Sequence, residues 1–129
     1  MHGFVYVLSN PSMPGLLKIG RTERDPTDRI SELSAGSAVP TPFKLEYSLF
    51  SIEMEEVEQA IHADLTKYRV SPEREFFQAS LEEVKTRLYN IVLDLLVAKL
   101  MRYNDYDLCR IVDHLVMKRP AIRSLLRQQ

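Results

Sequence analysis

A single cysteine, Cys109, stands among 129 residues, so no disulfide can close within the chain and no thiolate set is at hand for zinc. That usage fits a reducing compartment, and Cys109 itself reads as a small buried apolar residue. No stretch approaches the about 20 apolar residues that a bilayer span needs. The most apolar window, Val92 to Ala98, is interrupted by Asp94 and belongs to a longer helical pattern. The first residues carry neither the charged start nor the apolar run of a signal peptide, and a soluble, cytoplasmic chain without membrane contact is the expectation. Internal repeats, low-complexity tracts and long linkers are also missing. The length suits one hydrophobic core with, at most, a small appendage.

Surplus charge is missing too. The formal net charge is -1, whereas free-standing nucleic-acid binders usually advertise a basic face. The near-balance hides an asymmetry: residues 1–98 hold 10 Lys+Arg against 15 Asp+Glu, and residues 99–129 hold 7 against 3. The body is acidic and the tail basic.

What is present is a run of short periodic elements. Residues 3–8 are β-branched and aromatic, apolar on both sides, and predict a central strand with Phe4, Tyr6 and Leu8 facing one way and Val5 and Val7 the other. A loop through Asn10-Pro11 and Pro14-Gly15 leads to a second strand, Leu16 to Ile19, that stops at Gly20. Asp25-Pro26 with Asp28 has the form of an N-cap, a first-turn proline and an acidic first turn, predicting a helix from Pro26 to Ser34 with Ile30 and Leu33 inward. After the extended Val39-Pro40-Thr41-Pro42 segment, Phe43, Leu45, Tyr47 and Leu49 alternate with Lys44, Glu46 and Ser48 as a half-buried strand does. A helical stripe spans Met54 to Tyr68, and Glu58 and His62 share a face beside it. Ser80 and Glu83 form a capping box for a helix carrying Val84, Leu88, Ile91 and Leu95 to about Met101. Two short helices, 105–117 and 121–127, are expected to follow. The order describes an α+β fold: a small three-stranded antiparallel sheet flanked by helices over residues 1–88. Residues 89–129 form a helical extension that either packs on it or closes a homodimer.

Phe4-Val5-Tyr6 on the first strand and Lys18-Ile19-Gly20 on the second resemble the paired motifs of the GIY-YIG nuclease superfamily, in the branch whose second motif reads KIG. Arg29 in the first helix, Glu58 in the next, the run Lys-Ile-Gly-Arg-Thr, the segment Val39 to Phe43, the Glu58/His62 pair and Arg74-Glu75-Phe76-Phe77 extend the likeness over residues 3–88. The resemblance implies an endonuclease that leaves 5′-phosphate and 3′-hydroxyl ends. It implies Tyr6 as proton acceptor, Glu58 as the single protein ligand of a divalent ion, and Arg29 as a clamp on the transition state. Phosphodiester hydrolysis asks for those three things: a base, a cation for the charged oxygens, and fixed positive groups.

A phenol near pKa 10 serves as base only where positive charge favours its anion, and Lys18, Arg21, Arg29 and the metal are expected to supply it. One carboxylate plus waters and a substrate phosphate suits Mg²⁺, with Mn²⁺ as substitute, better than zinc. The chain departs from the family pattern at Lys18, where a tyrosine is usual, which makes phosphate contact its expected role, and at Phe4, where the first glycine is usual. The asparagine that many members carry near the end of the domain has no counterpart. His62 is a further catalytic candidate, as base or phosphate contact. Arg21, Lys67, Arg69 and Arg74, with Lys18, are candidate contacts to DNA, with RNA left open. Glu75 reads as an anchor paired with an arginine. Each has a plainer reading: Tyr6 as a core tyrosine, Arg29 as a solvated partner of Glu32, and Glu58 as one more acid on a wet helix face. Two functions compete with the nuclease: a binding or regulatory module that kept the fold without turnover, and a dimerising or delivery role for the tail.

Overall fold

The computed structural model describes residues 1–36, 38–102 and 110. The expected helices at 105–117 and 121–127, Cys109 and most of the basic tail lie outside the described residues. Within them the chain runs β1 (Gly3–Ser9), β2 (Leu17–Thr22), α1 (Pro26–Ser34), β3 (Lys44–Ser51), α2 (Met54–Asp64), a 3₁₀ turn (Thr66–Tyr68), β4 (Phe76–Phe77) and α3 (Leu81–Arg102). The fold is α+β, with an antiparallel sheet in the order β3-β1-β2-β4.

The sheet has four strands where the sequence predicts three. The extra one, two residues long, carries no periodicity to read, and it exists because Leu17 and Lys18 pair with Phe77 and Phe76. β1 is central as expected, because its two apolar sides feed two layers. Val5 and Val7 join Ile19, Val57, Ile61, Phe77, Val84 and Leu88 beneath α2 and α3. Tyr6 and Leu8 join Phe43, with Ile30 and Leu33 of α1 packed over them.

Three boundaries differ from expectation, each for a local reason. β2 does not stop at Gly20 but runs on to Thr22, because Gly20, Arg21 and Thr22 pair with Tyr6, Val5 and Phe4 of β1. β3 does not keep one inward face. Val7 pairs with Tyr47 and Leu8 with Leu45, so Glu46 is an extra residue, a bulge that turns Leu45 toward the Tyr6 layer while Tyr47 and Leu49 stay on the α2/α3 side. α2 ends at Asp64 rather than Tyr68 because the Thr66 hydroxyl donates to the carbonyls of Ala63 (2.8 Å) and His62 (3.2 Å), and the chain tightens into a 3₁₀ turn.

The Asp25 cap forms as the sequence predicts and the capping box only by half, since the Glu83 carboxylate turns to Arg87 (2.7 Å). Asp25 accepts from the Thr27 N–H (2.9 Å), and Ser80 from the Glu83 N–H (3.1 Å). The expected boundary after residue 88 falls inside α3, which continues unbroken to Arg102 with Ile91 and Leu95 against the same core. No helix among the described residues is long and apolar enough to cross a membrane.

Candidate active site

Because β4 pairs only with Leu17 and Lys18, it leaves the outer edge of β2 uncovered from Gly20 onward. The last satisfied residue there is Ile19. Its N–H donates to the Glu75 carbonyl (3.1 Å) and its own carbonyl accepts from His62 Nε2 (2.9 Å). A carbonyl can only accept, so Nε2 carries the proton in this bond. The ring also lies against Phe77 (5.2 Å between centroids). His62 thereby fastens α2 to the edge of β2, and Glu58, one turn earlier on the same helix face, is delivered to that edge.

Tyr6 reaches it from the opposite layer. Tyr6 and Gly20 are register partners, and the phenol lies across the glycine: a Cβ on Gly20 would sit 2.5 Å from the hydroxyl and 2.7 Å from Cζ. Any side chain there would push the ring off β2, so the strand must continue through a glycine for the phenol to cross it. Burial pushes the Tyr6 hydroxyl above its ordinary pKa. The Arg29 guanidinium, brought over this face by α1, pulls it back, and the charges of Glu75 and Glu58 add to the upward push. Burial wins, contrary to the expectation that surrounding cations favour the phenolate. The resting protein holds Tyr6 as the neutral phenol. Arg29 also bonds Glu32 (3.2 Å), so the functional and the plain reading of this arginine coexist.

Glu58 is an anion in want of a cation. Its side chain is 13% exposed, and its ion pair among the described residues is a long one, 3.8 Å to Arg21 Nη1. Burial raises its pKa first and the neighbouring Glu75 second, while His62, Arg21 and Lys18 oppose them. Lys18, two residues before Gly20 and on the same face, is 15% exposed. It is held by Glu75 Oε2 (3.1 Å) and the Phe76 ring (5.5 Å). The partner of Glu75 is thus a lysine and not the expected arginine.

The edge gathers Tyr6, Arg29, Glu58, Lys18, Arg21 and His62. The other basic candidates make their contacts around β4 and the 3₁₀ turn. Arg69 stacks on Phe77 (5.5 Å) and donates to the Arg74 carbonyl (2.8 Å), and Lys67 lies over Tyr68 (5.0 Å). None of Lys67, Arg69 and Arg74 forms a hydrogen bond or ion pair with Tyr6 or Glu58. Two members escaped sequence reasoning. Gly20 reads from the sequence as a strand stop, and the motif around it is the signal that could have marked it. Glu75 reads from the sequence as an anchor, whereas its carboxylate, 40% exposed, pairs with the largely covered Lys18.

No group of three or more His, Cys, Asp or Glu side chains among the described residues has a metal-binding arrangement, which leaves no zinc-type site there. A single desolvated carboxylate does fit a hard divalent ion that keeps most of its waters. A wide groove between α2 and α3, about 790 Å³ and lined by Asp64, Glu83, Arg87 and Asn90, contains none of the gathered side chains.

The model of the T5orf172 domain matches residues 3–92, from β1 into α3; the domain is found in phage and bacterial nuclease-like proteins. Comparison with curated proteins and with solved structures gives no match.

Proposed function

The chain belongs to the T5orf172 domain family, and from that premise we propose that it is a metal-dependent endonuclease of the GIY-YIG type, hydrolysing phosphodiester bonds in single- or double-stranded DNA. The observation that carries the reading is the Tyr6 phenol laid across Gly20, faced by Arg29, at the uncovered strand edge where Glu58 lacks a close cation. Those three groups come from β1, α1 and α2, and the desolvated Glu58 carboxylate bears a burial cost that a bound divalent ion would relieve.

In this reading the phosphate enters along the edge of β2, where Lys18, Arg21 and Arg29 bind and orient it. Arg29 bears charge on the non-bridging oxygens as water attacks phosphorus and the bond to the 3′ oxygen breaks. Tyr6 first releases its own proton to solvent under the pull of Arg29 and Lys18; the phenolate then takes a proton from the attacking water and returns to the phenol, and the departing 3′ oxygen is protonated by solvent. Glu58 is the residue that would hold Mg²⁺, or Mn²⁺ in its place. When bound, that ion would act as a Lewis acid on the phosphate oxygens and cancel the Glu58 charge that opposes ionisation of Tyr6.

Nicking of supercoiled plasmid and of single-stranded oligonucleotides, with and without Mg²⁺, tests the reading. The wild type cuts only with metal, and Glu58→Gln, Tyr6→Phe and Arg29→Ala each lose at least about 100-fold. Equal activity in all four proteins removes the site. The raised pKa of Tyr6 favours a second reading, a module that binds nucleic acid with little turnover. Metal-independent DNA binding without cutting, in the same gels, selects it.

A further inference from the structure

We propose that Glu75 is the positioning residue for Lys18, clamping its ammonium on the Tyr6–Gly20 face so that it meets the substrate phosphate in one orientation; the inference rests on the nuclease reading above. Lysine carries a point charge on a flexible four-carbon stem, and a phosphate contact made by an unclamped lysine is spread over many rotamers. Here the stem is confined. Lys18 is 15% exposed, its Nζ is 3.1 Å from Glu75 Oε2, and the Phe76 ring lies 5.5 Å beneath it.

The clamp is built into the backbone. The Glu75 carbonyl accepts from Ile19 N–H (3.1 Å), and the next residue, Phe76, is the register partner of Lys18. The acid and the lysine are therefore locked side by side although 57 residues apart in sequence. Local pairs such as Lys85–Glu82 and Arg29–Glu32, three residues apart on a helix, lack such framing. The pairing also accounts for the lysine where the family pattern has a tyrosine. A phenol is stiff and needs no clamp, whereas a lysine at that position becomes directional only with an acid beside it.

The geometry also sets the sign of the effect. Glu75 is an anion near an incoming anion, so removing its charge favours phosphate binding while releasing the ammonium. In steady-state cleavage of a labelled oligonucleotide by the full chain with Mg²⁺, Glu75→Gln is expected to lower kcat about 10- to 100-fold with KM unchanged or lower. Glu75→Asp, which keeps the charge one methylene short, falls between. In a Lys18→Met background Glu75→Gln has no further effect on kcat, because the group it positions is gone.

Losses that multiply in the double variant overturn the proposal. So does a Glu75→Gln protein that melts lower but turns over normally per folded molecule, since that marks an anchor for β4 alone. If Glu75→Gln fails to fold, Glu75→Asp in the two backgrounds decides by the same criterion. Absence of wild-type cleavage, or cleavage that survives Glu58→Gln, removes the nuclease reading together with this inference. Glu58-dependent cleavage with multiplying losses removes this inference alone.

Discussion

Replacing Gly20 by alanine probes the crossing of Tyr6 over β2 more directly than any change to Tyr6 itself. The new Cβ would lie 2.5 Å from the Tyr6 hydroxyl, 2.7 Å from Cζ and 3.0 Å from Cε2, and ordinary contact begins at 3.4 Å, so the ring must retreat by about 0.9 Å. Tyr6 is 2% exposed and packed with Leu8 and Phe43, so the retreat runs into filled space. Overpacking of this kind costs about 1–3 kcal/mol. The backbone adds nothing, because the only glycine with positive φ among the described residues is Gly15. At a compatible position, Gly→Ala by itself stabilises by about 0.4–1 kcal/mol through the unfolded state. The sign of the effect therefore depends on the ring. Gly20→Ala lowers the melting temperature in the wild type, and in a Tyr6→Leu background the same change is neutral or stabilising. A shift of this size at a reacting group costs on the order of 100-fold in rate, so plasmid nicking by Gly20→Ala should approach that of Tyr6→Phe. Thermal melts of the wild type, Gly20→Ala, Tyr6→Leu and the double variant, with nicking rates of the wild type, Gly20→Ala and Tyr6→Phe, complete the test. A Gly20→Ala protein that melts at or above the wild type and nicks at its rate refutes both the crossing and the role of the phenol.

Glu58 supplies a second prediction. Its folded pKa lies above the usual carboxyl value, so the stability linked to the protonated group is present at low pH and lost as pH rises through the folded pKa. At neutral pH the ionised group is a net cost. Glu58→Gln should melt higher than the wild type near neutrality with the gap closing in acid, and Mn²⁺ should raise the wild-type melting temperature alone. A lower-melting Glu58→Gln at neutral pH counts against the reasoning. Tyr6 is expected to ionise late in an alkaline titration followed by phenolate absorbance, and Arg29→Ala to push it later still, since the guanidinium is the main influence lowering its pKa. An unchanged profile would mean that Arg29 does not face the phenol. Lys67 lies over Tyr68 and makes no bond to Tyr6 or Glu58, so Lys67→Ala should reduce the salt slope of DNA binding by about 0.9 with kcat unaffected. A large loss of kcat would move that lysine into the site. Leu88→Ala, in the core between α3 and the sheet, should cost about 2–5 kcal/mol in chemical denaturation; a negligible cost would mean that α3 does not close the core.

The match to the T5orf172 model ends at residue 92, about halfway along α3, and that helix continues to Arg102 without a break. The helix belongs to both sides of the boundary at 88 that the family likeness suggested. Its early turns bury Val84 and Leu88, and Ile91 and Leu95 add to the same core. A truncation for experiment is therefore better placed after α3 than within it.

Local chemistry made much of this protein legible in its sequence. Apolar residues on both sides of β1 require two layers, the Asp25 and Ser80 caps start α1 and α3 where they do, and the four-residue spacing of Glu58 and His62 puts both on one face of α2. Those signals depend only on residues close in the chain. What lay beyond them depends on contacts between distant segments. Glu46 becomes a bulge only because β1 sets the register, and Phe76–Phe77 becomes a strand only because β2 offers an edge. Glu75 meets Lys18 across 57 residues, and Gly20 serves as a passage only once a tyrosine from the neighbouring strand must cross it. The direction in which the Tyr6 pKa moves was also decided by tertiary structure, because the burial that outweighs Arg29 is a property of the packed layer and not of any stretch of sequence.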